Sequence, residues 1–171
     1  MSTIKIENLN FSYYGYVNPV FENVSFSFDT NWKIGLIGRN GIGKSTLFKL
    51  LLNQETYQGK ISQDVDFIKF PPNLSDTSKL GIELYKELIS DEEEWRLFRE
   101  LNLLNVDENL VYRGFETLSL GEQTKILLAI LFTREDGFLL IDEPTNHLDM
   151  DGRKIVSEYL KNKKGFLLIS H

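Results

Sequence analysis

Hydrophobic and polar positions change period several times along this chain, and each change marks an element. Thr3–Leu9 alternates and predicts an edge strand. Val24-Ser25-Phe26-Ser27-Phe28 alternates with period two and predicts a second strand with one apolar face. Between them lies an aromatic-rich loop, Phe11-Ser12-Tyr13-Tyr14-Gly15-Tyr16. Trp32–Ile37 is a short, largely apolar strand that runs straight into Gly38. From Ser45 the period becomes helical, with Leu47, Leu50 and Leu51 at i, i+3 and i+4. Residues 59–70 hold two short strand candidates, ended by Pro71-Pro72.

Residues 73–118 differ in character. Ile82, Tyr85 and Ile89 mark one amphipathic helix, and Ser90 with Glu93 forms a capping box for another whose face is Trp95, Phe98 and Leu101. This stretch reads as a small helical subdomain inserted between two parts, 1–72 and 119–171, of an α/β core. Ser119 with Glu122 makes a second capping box, and Ile126, Leu127, Ile130 and Leu131 continue that helix on one face. Phe138–Ile141 and Phe166–Ile169 are continuous apolar runs, as in parallel strands covered on both sides. The expected fold class is therefore α/β: a mainly parallel core sheet flanked by helices, an N-terminal antiparallel β subdomain and the helical insertion. A further helix is needed to cover the side of the last strand, so the expectation is a C-terminally truncated piece of a larger protein.

The 171 residues suffice for one domain with a real core, at 42% apolar and 26% charged residues. A net charge of −6 argues against a stand-alone nucleic-acid binder, and no direct nucleic-acid site is visible. Without cysteine there are neither disulfides nor thiolate metal sites, which fits a cytoplasmic location. The start has no signal-peptide shape, and no apolar run approaches the ~20 residues of a membrane span.

Chemistry enters at Gly38-Arg39-Asn40-Gly41-Ile42-Gly43-Lys44-Ser45-Thr46, a complete Walker A motif between a strand and a helix. Its glycines let successive N–H groups turn inward, and with the positive end of the following helix they hold a β-phosphate. Lys44 is placed to bridge β- and γ-phosphates and Ser45 to ligate Mg²⁺. Gly38, Asn40, Gly41, Gly43, Lys44, Ser45 and Thr46 are the candidate nucleotide contacts. Asp142 ends a buried strand, where a carboxylate is costly without a task; holding Mg²⁺ through water is that task. Glu143 follows it and is placed to polarise the attacking water. The competing reading, two acids opening a helix with Pro144 in its first turn, leaves the four apolar residues before Asp142 unexplained. His171, at a strand end, is a candidate for the γ-phosphate side. Ser119, Gly121, Glu122 and Gln123 form a second candidate anion site at a helix start, aimed at ATP on a facing domain; taken alone, they are better read as a capped core helix.

Walker A, Leu118-Ser119-Leu120-Gly121-Glu122-Gln123, Phe138–Glu143, Leu148-Asp149 and Ser170-His171, in this order, together resemble the ABC ATPase superfamily over essentially the whole chain. Asp142-Glu143-Pro144-Thr145-Asn146-His147-Leu148-Asp149 and Gly121-Glu122-Gln123 are similar to ABC-F proteins, soluble tandem ATPases without membrane domains. Residues 31–40 resemble the first ATPase domain of Lsa/Vga-type resistance proteins, which bind ribosomes and protect them from lincosamides, pleuromutilins and streptogramin A. The resemblance implies ATP and Mg²⁺ as ligands and adenine stacked on Tyr13, with Tyr14 as the fallback. It also implies Glu143 and His171 as catalytic groups, and a second ATPase domain as partner, from the same polypeptide or by self-association. Two departures stand out. Leu120 replaces the first glycine of the signature, and Pro72 aligns with a glutamine that usually adds an Mg²⁺ contact.

On this reading the protein is a clamp that closes on ATP and opens after hydrolysis, with weak turnover from the isolated domain. A transporter motor subunit shares most of the motifs and is the alternative. A chromosome-type ATPase would carry long coiled-coil insertions that the compact 73–118 segment lacks. A non-hydrolytic ATP-binding module fits Pro72 and Leu120 but not Lys44, Asp142, Glu143 and His171.

Overall fold

The computed structural model describes residues 2–89 and 93–170. Its elements separate into two compact units that interleave along the chain. The first unit comprises Met1–Lys69, Asp136–Glu143 and Lys164–His171; the second comprises Phe70–Glu135 and Pro144–Lys163.

In the first unit β1 (Thr3–Phe11), β2 (Phe21–Asp29) and β4 (Gln58–Ser62) form a three-stranded sheet of order β2-β1-β4, antiparallel at both junctions. The first strand, expected at an edge, is therefore central. Its alternation reported one buried face, with Ile4, Ile6 and Leu9 inside, and an antiparallel sheet can keep that pattern at its centre because its other face meets water. A four-stranded sheet has the order β3-β7-β6-β5, from β3 (Lys33–Ile37), β7 (Phe166–Ser170), β6 (Phe138–Asp142) and β5 (Phe67–Phe70). β3, β7 and β6 run parallel, in the register Gly35 to Leu168 to Ile141. The apolar runs at 138–141 and 166–169 are thus neighbouring strands. α1 (Lys44–Leu51) contributes Leu47, Phe48, Leu50 and Leu51 to one core with Ile4, Ile6, Phe28, Phe138, Leu140 and Ile169. That core joins both sheets to the helix that follows Gly43. Ile37, at the end of β3, is 81% exposed.

The second unit is helical: α2 (Gly81–Leu88), α3 (Glu94–Leu103), α4 (Leu120–Phe132) and α5 (Met150–Lys161), with single 3₁₀ turns at Glu108–Tyr112 and Phe115–Thr117. It is larger than the 73–118 insertion because α4 and α5 share its contacts. Two expected faces differ. α3 buries Leu97, Glu100 and Leu101, whereas Trp95 is 56% exposed and Phe98 half-buried. A buried glutamate cannot be anticipated from apolar spacing; its partner Tyr159 lies on another helix. α4 buries every residue from Ile126 to Leu131, not one stripe, because α2 and α3 both pack on it. Ser90, the expected start of one capping box, lies outside the described residues; Glu93 is the residue before α3, and its carboxylate pairs with Arg96 at 2.5 Å.

Candidate nucleotide site

β3 ends at Ile37 and α1 begins at Lys44, so the six residues between them must reverse sharply. Gly41 and Gly43 supply this with φ of 83° and 103°, a region that favours glycine. At Gly43 a Cβ would also lie 2.6 Å from Val20 Cγ1, so no other residue fits there unchanged. Gly43 is the N-cap residue of α1 and carries no side-chain cap, and no acidic residue occupies the first turn. The leading N–H groups and positive end of α1 are therefore not met by a side-chain cap or a first-turn carboxylate of the helix itself. Lys44 Nζ donates to the carbonyls of Gly38 (2.5 Å) and Arg39 (3.1 Å), folding the ammonium back over its own turn.

A cleft of about 920 Å³ opens above this turn. Tyr13, Asn40, Gly41, Gly43, Lys44, Ser45, Thr46 and Glu143 line it, bringing together eight of the expected positions. Gly38 and Asp142 are not on its wall; Gly38 contributes its carbonyl to Lys44, and Asp142 ends β6 one residue before Glu143. His171 lies outside the described residues. The structure separates the two tyrosines. Tyr13 is half-buried, its hydroxyl 3.1 Å from Thr46 Oγ1 and its ring edge-on to Phe11 at 4.8 Å, while Tyr14 is fully exposed. Lys49 Nζ lies 5.7 Å from the Tyr13 ring centroid. Sequence reasoning missed Tyr16, Asn18, Pro19 and Val20, which with Ile42 complete the wall. The only signal was the aromatic loop itself, and nothing in it says what it folds against.

Glu143 sits at φ 48°, the one non-glycine, non-asparagine residue with positive φ among those described. Its N–H donates to the Ile169 carbonyl (3.0 Å), which extends the β6–β7 ladder by one bond while the backbone turns away. A left-handed conformation in such a residue costs about 1–2 kcal/mol and is held only by its surroundings. Residues 144–147 form a turn, and α5 starts only at Met150, so Asp142 and Glu143 do not open a helix.

The expected signature lies in the helical unit. Ser119 caps α4, and the box is reciprocal: Glu122 N–H donates to Ser119 Oγ (3.2 Å), and Ser119 N–H donates to Glu122 Oε2 (2.8 Å). The Ser119 hydroxyl also donates to that carboxylate at 2.7 Å, and these bonds hold Glu122 below the usual carboxylate range. Gln123 Nε2 donates to the Leu118 carbonyl (3.0 Å). A Cβ on Gly121 would stand 3.3 Å from Leu148 Cδ2, so glycine permits close packing of the α4 start on the turn before α5. Asp149 caps α5, accepting from Gly152 N–H at 2.7 Å. Leu120 is 56% exposed.

The sequence matches the ABC transporter family over residues 21–146, most of the chain. The chain belongs to this family. It is an ABC ATP-binding domain, and the fold agrees: a chain of an ABC transporter solved in an inward-facing conformation superposes with a TM-score of 0.77 at 24% identity, covering 99% of this domain and 73% of that chain. ABC transporter F family member 4 of Dictyostelium discoideum is 32% identical over 159 residues, 89% of this domain and 14% of that protein. The ribosome protection protein VmlR of Bacillus subtilis is 29% identical over 163 residues, 89% of this domain and 28% of that protein. ATP-binding protein Uup of Buchnera aphidicola is 31% identical over 180 residues, covering 98% and 29%. The resemblance to ABC-F proteins is borne out by these relatives, of whose lengths the domain spans less than a third. Among the described residues no helix is long and apolar enough to cross a membrane.

The residues at hand fit Mg²⁺. Among those described, no cluster of three or more His, Cys, Asp or Glu could cage a metal. Ser45 and one carboxylate, Asp142, are a sparse oxygen set of the kind Mg²⁺ accepts, since it keeps waters and takes its remaining ligands from phosphate.

Proposed function

We propose that this domain is one ATP-hydrolysing half of an ATP-driven clamp, in a soluble cytoplasmic ABC-F protein that acts on the ribosome and confers antibiotic resistance by protecting it. The meeting of Lys44, Ser45 and Glu143 on one cleft carries the hydrolytic part. The similarity to a protein named for ribosome protection supports the ribosomal part.

ATP places its purine over Tyr13 and its phosphates in the 38–46 turn. N–H groups of the turn and of the α1 start receive the β-phosphate, and Lys44 exchanges the Gly38 and Arg39 carbonyls for β- and γ-phosphate oxygens. Ser45 and, through water, Asp142 would hold Mg²⁺, which would supply charge neutralisation on the phosphates. The Glu143 carboxylate takes a proton from the attacking water. The water oxygen bonds to the γ-phosphorus as the bond to the bridging oxygen breaks, leaving ADP and phosphate. The family resemblance assigns His171 a role toward the γ-phosphate. Ser119, Gly121, Glu122 and Gln123 address the γ-phosphate of ATP held by a second ATPase domain. Loss of that phosphate removes the ligand shared across the interface, and the halves part.

The test is Glu143→Gln in the intact protein with ATP. The variant should remain with ribosomes through a sucrose gradient from which the parent releases. Release as fast as the parent's would remove the clamp.

A further inference from the structure

Glu100 is 1% exposed on α3, and each of its oxygens is occupied. Oε2 accepts from the Tyr159 hydroxyl at 2.6 Å and from Lys163 Nζ; Oε1 accepts from Arg99 Nη2 at 3.1 Å. Tyr159 lies on α5 and Lys163 just beyond its end, so the carboxylate ties α3 to the rear of α5. The Lys163 ammonium also lies 4.4 Å from the Tyr159 ring centroid and 5.4 Å from that of Phe132, the last residue of α4. Phe132 meets Tyr159 edge-on at 5.4 Å. Three helices are thus knotted at one point by a carboxylate, a phenol, an ammonium and two rings. Burial raises the Tyr159 hydroxyl, reinforced by the Glu100 charge, and lowers Lys163.

The opposite ends of the same helices carry the motifs. α4 begins with Ser119–Gln123 and α5 with Leu148-Asp149, and Gly121 packs on Leu148 there. At 1.5 Å per residue α4 is about 20 Å and α5 about 18 Å long, so a 10° swing at the knot displaces the far end by about 3 Å. That is the length of a hydrogen bond and enough to spoil a phosphate contact. Ordinary packing could join these helices just as strongly; buried charges add one permitted geometry in place of several.

We propose that Glu100, Tyr159 and Lys163 are positioning residues that set the helix starts Ser119–Gln123 and Leu148–Asp149 in register with each other. The functional consequence rests on the reading that these starts address nucleotide on a second domain; the geometric consequence does not. Removing one partner alone strands a buried charge and threatens folding, so the informative variant is the triple Glu100→Leu, Tyr159→Phe, Lys163→Met, which fills the site with apolar groups of similar size.

Hydrogen exchange of the full chain decides the matter. In the triple variant the amides of Leu120–Gln123 and Gly152 should exchange at least tenfold faster, while those of Ile126–Leu131 keep parent rates. ATP turnover in the intact protein should fall at least tenfold in kcat with KM within twofold, and Lys163→Arg should retain most of it. Parent-like exchange at the helix starts, or acceleration spread evenly through α4, overturns the proposal, because a merely stabilising cluster would act on the whole unit. Absence of turnover in the parent would sink the clamp and leave the exchange result standing.

Discussion

The Tyr13 hydroxyl lies 3.1 Å from Thr46 Oγ1, across 33 positions of sequence, so the loop before β2 is tied to the helix that follows the phosphate turn. The ring is oriented before any ligand arrives. Tyr13→Phe keeps the ring and loses the tether, a net hydrogen bond of about 1 kcal/mol, so affinity for an ATP analogue should fall about fivefold. Tyr13→Ala loses the stacking surface as well and should fall further, at least tenfold. Tyr14→Ala should leave affinity unchanged. Fluorescence titration of the three variants ranks them; equal losses from Tyr13 and Tyr14 would remove the assignment.

Glu143 holds a left-handed backbone that a glycine would adopt freely. Glu143→Gly should therefore raise stability by about 1 kcal/mol, a rise in Tm of about 2–4 °C for a chain of this size. On the proposed mechanism turnover should vanish in the same variant, because the carboxylate assigned as general base is removed. Thermal unfolding beside a phosphate-release assay tests both halves. A more stable variant that still hydrolysed ATP would place the base elsewhere.

Glu122 gives the capping box a pH dependence of defined sign. Its carboxyl is lowered from the ordinary 4.5, first by the Ser119 hydroxyl and then by the Ser119 N–H. A lowered carboxylate stabilises the fold at pH above its ordinary value, and the contribution is lost as pH falls through the lowered one. Protection of the Glu122 amide, relative to its intrinsic exchange rate at each pH, should therefore fall on acidification below about pH 4.5. Glu122→Gln should remove that dependence. An identical acid response in parent and variant would exclude the box as its source.

If catalysis needs two facing domains, hydrolysis by this chain alone should scale with the square of its concentration at high dilution. Specific activity measured across a hundredfold concentration range checks this. Activity independent of concentration, with no self-association by light scattering, would show a single domain to be sufficient.

Much of the site was legible because its chemistry is local. A strand, a glycine turn and a helix start occupy residues 33–51 without interruption, and hydrogen bonds at that range are written in nearest neighbours. The Ser119–Glu122 box has the same origin: donor and acceptor are three residues apart, and both bonds form. The α3 face was not legible. Spacing offered Trp95, Phe98 and Leu101, but burial went to Leu97, Glu100 and Leu101. An apolar stripe is a prediction only when the neighbouring helix is apolar too.

The sequence by itself determined the strands, helices α1–α4, the glycine turn at 38–46, the acid pair at the end of β6 and the reciprocal cap on α4. Each depends on period, on glycine conformation or on contacts within a turn of chain. Tertiary structure alone decided that Tyr13 and not Tyr14 faces the cleft, that Glu143 is held in a left-handed backbone by Ile169, and that Glu100 is buried against Tyr159 and Lys163, 59 and 63 residues away. Burial and strain are properties of what surrounds a residue, and those surroundings are assembled from distant segments only when the chain has folded.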